Sequence, residues 1–309
     1  MFMHPPPVKY LIKKIENKRN APSPKEDYFK DQSGRHCVVK QTRQDVSCPT
    51  VRELDELFER LGGLKRIIKP GERVFIKINL SSPHPIPTTT DPNLTSNLVY
   101  LIKEYGAATV DVGDFGGPFW LPSINIVNKI GMETALSGVG GKMVYFDEGP
   151  WTEVNLESDI LPPLAYPSML YEYDRIIYLA NLKTHFIADF TCSLKLTMGL
   201  LHLRDRFWHL HTRMKIKEGI ADINKAVYPD LVLIDGRKAF IEGGPVWGKI
   251  VRPKILLASG NRVALDYAAI DVLREYPTQK NPLTDTSPER HPTLLRAVKI
   301  GLGDRGVII

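Results

Sequence analysis

The sequence predicts an α/β protein, a largely parallel mixed sheet with helices on both faces, arranged as two lobes around a central cleft. Three observations carry this expectation. Between residues 73 and 147, five strand-like and helix-like segments follow one another in alternation, the rhythm of a parallel sheet with right-handed crossovers. Residues 231–276 continue it with two apolar runs and an amphipathic helix. The third is the run Ile176-Ile177-Tyr178-Leu179-Ala180, which delivers Asn181, Lys183, Thr184 and His185 at its exit. Open α/β sheets place their ligands at such strand ends.

Taken in order, residues 1–34 mix prolines with lysines and read as a flexible N-terminal arm, with a short helical stripe over 8–15. Residues 35–309 form the α/β domain, with lobes at 35–150 and 151–309. A first strand is expected over 35–40. The segment TVRELDELFERLGG spaces Leu54, Leu57, Phe58 and Leu61 as one helix face and stops at Gly62-Gly63. The strand at 73–80 leads into a loop, 81–92, which holds four prolines and is too stiff for a helix or inner strand. Asp91-Pro92 supply an N-cap and first residue for a helix over 93–105.

A strand follows at 109–114, a helix at 123–136 and a strand at 142–147. Residues 149–174 have no clean period and are expected to cover the sheet edge. From Asp189 to Thr197 polar and apolar residues alternate with period two, as in a returning strand. Helices are expected at 216–227, 262–276 and 293–300, and strands at 231–235 and 254–259. Asp266, four residues after Arg262, reads as an intrahelical ion pair.

Charge and cysteine content narrow the function. The formal charge is +6, but residues 1–30 hold seven Lys/Arg against three acids, so +4 of it lies there. The remainder is too weakly basic for a nucleic-acid footprint. No apolar run reaches the length of a membrane span, and the N-terminus lacks the apolar core of a signal peptide, so a cytoplasmic protein is expected. Three unevenly spaced cysteines offer no C-x-x-C pair. No intrinsic iron–sulfur cluster is expected from them, and the cofactor is otherwise open.

Two loops echo each other. Asp114 is followed by Phe115-Gly116-Gly117-Pro118, and Glu242 by Gly243-Gly244-Pro245, each soon after an apolar strand. Paired glycines turn backbone N–H groups toward an anion, or simply reverse the chain.

These residues resemble the successive motifs of the domain-of-unknown-function family 362. The resemblance runs over Ile78-Asn79 with Thr88-Thr89-Thr90-Asp91-Pro92, Val112-Gly113-Asp114, Asn181-Leu-Lys-Thr-His185, Leu194-Lys195 and His209. It continues through Leu233-Ile-Asp235-Gly236, Gly243-Gly-Pro245 and Ala264-Leu-Asp266, spanning roughly 70–302. It implies a fold and a site that includes Asn79 and Thr90, without fixing a reaction. Many relatives carry a ferredoxin module and are named for iron–sulfur clusters; this chain lacks the C-x-x-C-x-x-C run, so that label does not transfer.

The chemistry expected of these residues centres on an anion. Lys183 and His185, two apart, share a strand face, and an ammonium beside an imidazole receives a carboxylate or phosphate while each lowers the other's pKa. Lys195 completes the cationic pocket, so Lys183, His185 and Lys195 are the catalytic candidates, with a solvated surface lysine the alternative for Lys183. Substrate contacts are expected from Asn79, Thr90, Asp114, Gly116, Gly117, His209, Asp235, Gly243 and Gly244. His202, His209 and His211 are weak metal candidates, because a seven-residue spacing on a helix puts two rings about 10 Å apart.

The expectation is an enzyme acting on a small anionic metabolite, with Lys183, His185, Lys195 and His209 converging with Asp114 and Asp235 on one pocket. Its alternatives are a non-catalytic anion- or nucleotide-binding module with a redox protein partner, and a metal-dependent racemase-like enzyme.

Overall fold

The structure, a computed structural model, describes residues 14–116, 122–147, 149–211 and 216–309. Its strands are β1 (Ile15–Asn20), β2 (Cys37–Thr42), β3 (Arg73–Lys77), β4 (Thr109–Asp114), β5 (Gly141–Tyr145), β6 (Trp151–Asn155) and β7 (Leu164–Pro167). They continue with β8 (Arg175–His185), β9 (Asp189–Thr191), β10 (Leu231–Gly243), β11 (Gly248–Val251), β12 (Ile255–Ser259) and β13 (Val307–Ile308).

Ten strands make one sheet in the order β13-β2-β12-β10-β8-β3-β4-β5, with β11 beside β10 and β9 beside β8. The central run β10-β8-β3-β4-β5 is parallel throughout, while β12 runs antiparallel to β10 and β2. This is the expected mixed, mostly parallel sheet. It takes strands from both of the expected lobes without a break. Chain order changes direction between β8 and β3, which makes their carboxyl ends the switch point where such sheets open a crevice.

Both faces of the sheet are buried. Phe75, Tyr178, Ala180, Leu182, Val232 and Ile234 join one apolar core, and the alternate positions Val74, Ile76, Ile177, Leu179, Leu231 and Leu233 join the other. That alternation follows from the period of two, and each fully buried side chain of this size contributes about 1.5–3 kcal/mol over exposure. The helix Val51–Leu61 turns Leu54, Leu57, Phe58 and Leu61 inward. It starts on a capping box in which Thr50 Oγ1 accepts from Glu53 N and the Glu53 carboxylate accepts from Thr50 N. Asp91 caps the helix Pro92–Glu104 by accepting from Asn93 N at 2.9 Å. Among the described residues, no helix is long and apolar enough to cross a membrane.

Four local expectations are corrected. The helix expected over 123–136 is two helices, Ser123–Ile130 and Met132–Ser137, split by Gly131 at φ 73°, a left-handed conformation that suits glycine. The region 149–174 contains β6 and β7, which with β1 form a three-stranded sheet. The period-two run 189–197 is extended only through β9; Ser193–Leu196 is a single helical turn. Asp266 does not form the intrahelical pair with Arg262: its carboxylate accepts from Ser193 N, Ser193 Oγ and Leu194 N. Arg262 instead donates to the carbonyls of Val227 and Asn224.

The expected N-terminal arm also departs from its reading. From Ile15 it is built into the protein: β1 pairs in parallel with β6, Lys25 Nζ donates to Asp230 Oδ2 at 2.7 Å, and Phe29 is 2% exposed within the core. The stripe expected over 8–15 lies almost wholly outside the described residues. Deleting residues 1–30 removes a buried phenylalanine, for which truncation alone costs roughly 3–5 kcal/mol. Thermal unfolding of the truncated chain is expected to shift down by about 4 °C or more, since about 1 kcal/mol moves the midpoint of a chain of this size by roughly 2 °C. An unchanged midpoint restores the reading as a dispensable arm.

Candidate functional site

At the switch point lies a cavity of about 370 Å³. Its polar lining includes Lys77, Asn79, Ser81, Asp114, His185, Thr191, Lys195 and Arg206. Phe115, Phe186, Ile187, Leu196, Met198 and Val246 supply its apolar surface. The volume falls in the range of small-molecule sites, and the mixture of apolar walls with a few convergent polar groups is the usual composition of one.

The floor is an ion pair. Lys77, the last residue of β3, and Asp114, the last of β4, are 0% and 5% exposed, and Lys77 Nζ donates to Asp114 Oδ1 at 2.6 Å. The same ammonium donates to the Ile78 carbonyl at 2.7 Å, and Asp114 Oδ2 accepts from Leu80 N at 2.6 Å. Burial pushes the Lys77 ammonium below its ordinary pKa and the Asp114 carboxyl above its own, and the partner's charge opposes each shift. Gly199 lies against the pair: a Cβ there would sit 2.6 Å from Lys77 Nζ and overlap Asp114 Oδ1. Only glycine lets that turn close over the carboxylate.

Two more cations stand above the pair. Arg206 is buried, with Nη2 donating to the Phe115 carbonyl at 3.1 Å, and its guanidinium lies 5.2 Å from the Phe115 ring centroid. Lys195 is half-buried and faces the cavity. It makes no hydrogen bond or ion pair among the described residues. Burial, with Arg206 and Lys77 adding to it, pushes Lys195 down to about 7. His185 lines the same space; its Nδ1 accepts from Ile187 N at 3.1 Å and Ala188 N at 3.3 Å. A nitrogen that accepts carries no proton, so the neutral ring holds its proton on Nε2.

The backbone around Lys195 is held from a distance. Its single helical turn is too short to be stable alone. Asp266 takes up the first two N–H groups, and Asn224 Nδ2 donates to the Leu194 carbonyl at 2.9 Å. Asp266 is itself pushed up to about 6 by burial.

Of the residues singled out from the sequence, Asn79, Asp114, His185 and Lys195 line the cavity. The others among the described residues are elsewhere. Lys183 does share a face with His185, since β8 extends to residue 185. It is 0% exposed, however, and Nζ donates to the Thr88 carbonyl at 2.6 Å and to Ser81 Oγ at 3.3 Å. It is neither a surface lysine nor a lining residue. Its pKa lies well below the ordinary value because of burial and then Lys195, with no part for the expected repulsion by His185. Thr90 Oγ1 accepts from Asn79 N at 2.8 Å, and Asn79 Nδ2 donates to the Thr88 carbonyl and to Asn181 Oδ1. Together these residues fasten the proline loop 81–92 onto β8 and so build one wall of the cavity.

Asp235 is held by Arg237, whose Nε and Nη2 reach its two oxygens at 2.9 and 2.7 Å while Nη2 also reaches Asp91 at 2.7 Å. A bidentate pair of that kind is committed to structure. Gly243 and Gly244 are turn residues: a Cβ on Gly244 would meet the Thr184 carbonyl at 2.0 Å, and Gly244 N donates to Trp247 O. Gly116 N donates to Ser123 Oγ at 2.9 Å. Neither loop presents these glycine amides to the cavity, and Gly117 lies outside the described residues.

The histidines separate in the same way. His209 stands 3.9 Å from Asp205, and His202 caps residue 204 by accepting its N–H, with its ring edge-on to Trp151. The side chain of His211 lies outside the described residues. Among the described residues no three His, Cys, Asp or Glu side chains gather as a metal-binding group.

Sequence reasoning missed Lys77, Arg206 and Gly199. Lys77 carried a signal, a lysine inside the apolar strand run Val74-Phe75-Ile76-Lys77-Ile78. Such a charge is either exposed or paired.

A sequence model of the family described as "Domain of unknown function (DUF362)" matches residues 74–271, well over half of the chain. A "Thylakoid-associated protein" of Synechocystis sp. is similar, with 26% identity over 255 residues that cover 81% of this chain and 74% of the relative.

The site divides into a structural pair and a free cation, which makes opposite demands on stability. Asp114→Asn strands a buried ammonium and is expected to cost roughly 3–5 kcal/mol in urea denaturation. Lys195→Met removes a charge with no opposing partner and is expected to leave stability within about 1 kcal/mol or to raise it. Equal losses in the two variants would contradict the division.

Proposed function

The chain belongs to the DUF362 family, and from that premise we propose that it is an enzyme holding a small carboxylate- or phosphate-bearing metabolite in the Lys195 cavity. The observation that carries the reading is the charge count of the lining: Lys77, Lys195 and Arg206 against Asp114 alone. Asp114 is already paired with Lys77, so an anion entering the cavity meets Lys195, which makes no ion pair among the described residues, with Arg206 beside it. In a space walled by Phe115, Leu196 and Met198, water screens these charges poorly and each charge-assisted contact gains strength. His185 adds a neutral N–H donor. Phe186, stacked on His185 and 72% exposed, offers a ring face to an apolar part of the ligand.

The reading fixes a pH dependence. An anion binds the ammonium form of Lys195, which is present below about pH 7 and lost as pH rises through that value. Calorimetric titration with phenyllactate, whose carboxylate stays ionised throughout, is expected to weaken steadily between roughly pH 6 and 8. Lys195→Ala and Arg206→Ala are each expected to weaken it by about 1–3 kcal/mol, and Lys195→Ala to flatten the pH profile. Binding that ignores both pH and the two substitutions would overturn the proposal.

A further inference from the structure

Three lysines surround the cavity and two of them are committed. Lys77 is bonded to Asp114 and the Ile78 carbonyl, and Lys183 to the Thr88 carbonyl and Ser81 Oγ. Lys195 makes no such bond among the described residues, although its backbone is held by Asp266 and Asn224, two residues remote in sequence. A lysine placed only to supply charge needs no such anchoring, because a flexible stem lets an ammonium find an anion unaided. A lysine that must bring its nitrogen to one atom of a substrate does need it.

We propose that Lys195 is the nucleophile of this site and forms an imine with the carbonyl carbon of a 2-oxo acid bearing an apolar side chain. The inference rests on the anion-binding reading of the cavity and adds a covalent step to it. The Lys195 lone pair attacks the carbonyl carbon, the C=O π bond breaks, and the oxygen is protonated to give a carbinolamine. The C–O bond then breaks, the oxygen leaves as water with the two protons originally on the amine, and the C=N bond forms. No electrons are gained or lost and no co-reactant is required.

The cavity supplies the parts. Arg206 is the cation for the substrate carboxylate, and the protonated Nε2 of His185 is the donor for the carbonyl oxygen. Phe115, Ile187 and Met198 are the walls for the side chain. The amine is available near neutrality because burial, Arg206 and Lys77 hold it at about 7. Placing an amine in an apolar pocket beside other cations is an established way of making lysine nucleophilic.

The test uses the full chain, phenylpyruvate and sodium borohydride at neutral pH, followed by peptide mapping. The reduced adduct is expected on Lys195 at roughly tenfold or more the level of any other lysine, since exposed lysines are protonated near neutrality and Lys77 and Lys183 are fully buried and hydrogen-bonded. Phenyllactate, which has a hydroxyl in place of the carbonyl, is expected to suppress the labelling. If phenyllactate binds but the adduct is absent or spread over other lysines, the imine is overturned and the anion-binding reading stands. If neither compound binds nor labels, both fall. Mapping the wild-type chain makes the result independent of whether any Lys195 variant folds.

Discussion

The buried contact between Lys77 and Asp114 is the constraint around which the site is arranged. Each group ends a neighbouring parallel strand, and neither could be buried alone without a cost of several kcal/mol. The carboxylate is completed by Leu80 N and the ammonium by the Ile78 carbonyl, so the chain leaving β3 is fixed by the same pair. Gly199 follows from it, because the turn after Lys195 approaches the pair more closely than any Cβ permits. One ion pair thus sets the floor, the start of the proline loop and the height of the Lys195 turn.

Charge placed above that floor behaves differently from charge within it. Both oxygens of Asp114 already accept short bonds, and although its charge still favours the protonated forms of Arg206 and Lys195, it does not outweigh their burial. The low pKa of Lys195 is a consequence of burial first, with Arg206 and Lys77 adding to it and Asp114 opposing. In the proposed function an incoming carboxylate supplies the opposing anion, and in the proposed imine chemistry an incoming carbonyl finds an amine. The same electrostatic imbalance serves both binding and nucleophilic chemistry, which is why the two proposals concern one residue.

Local periodicity made much of the fold legible. Strand β4 falls where its alternation of apolar residues places it, and the helix Val51–Leu61 is marked by its stripe and terminal glycines. What escaped depends on contacts between distant segments. The run after β9 alternates like a strand, yet Ser193–Leu196 turns helical because Asp266, 73 residues away, takes up its first N–H groups. Asp235 and Lys183 have the chemistry of site residues, but Arg237 and the Thr88 carbonyl consume it. Arg206 is unremarkable in the sequence, where only burial distinguishes it from a surface cation, while Lys77 is marked solely by its place inside an apolar run. Of the residues that line the cavity and were legible, Asn79, Asp114 and His185 stand at or just past a strand exit, and Lys195 lies in the helical turn that follows β9.

Lys195 lines the cavity with a charge that is lost near neutrality. That loss is tested most directly by an NMR titration of the lysine side chains with ¹³C at the ε-position, the Lys195 signal being identified by its loss in Lys195→Arg. The account predicts a midpoint of about 7 for Lys195. A Lys195 midpoint near the ordinary value of about 10.4 would contradict it.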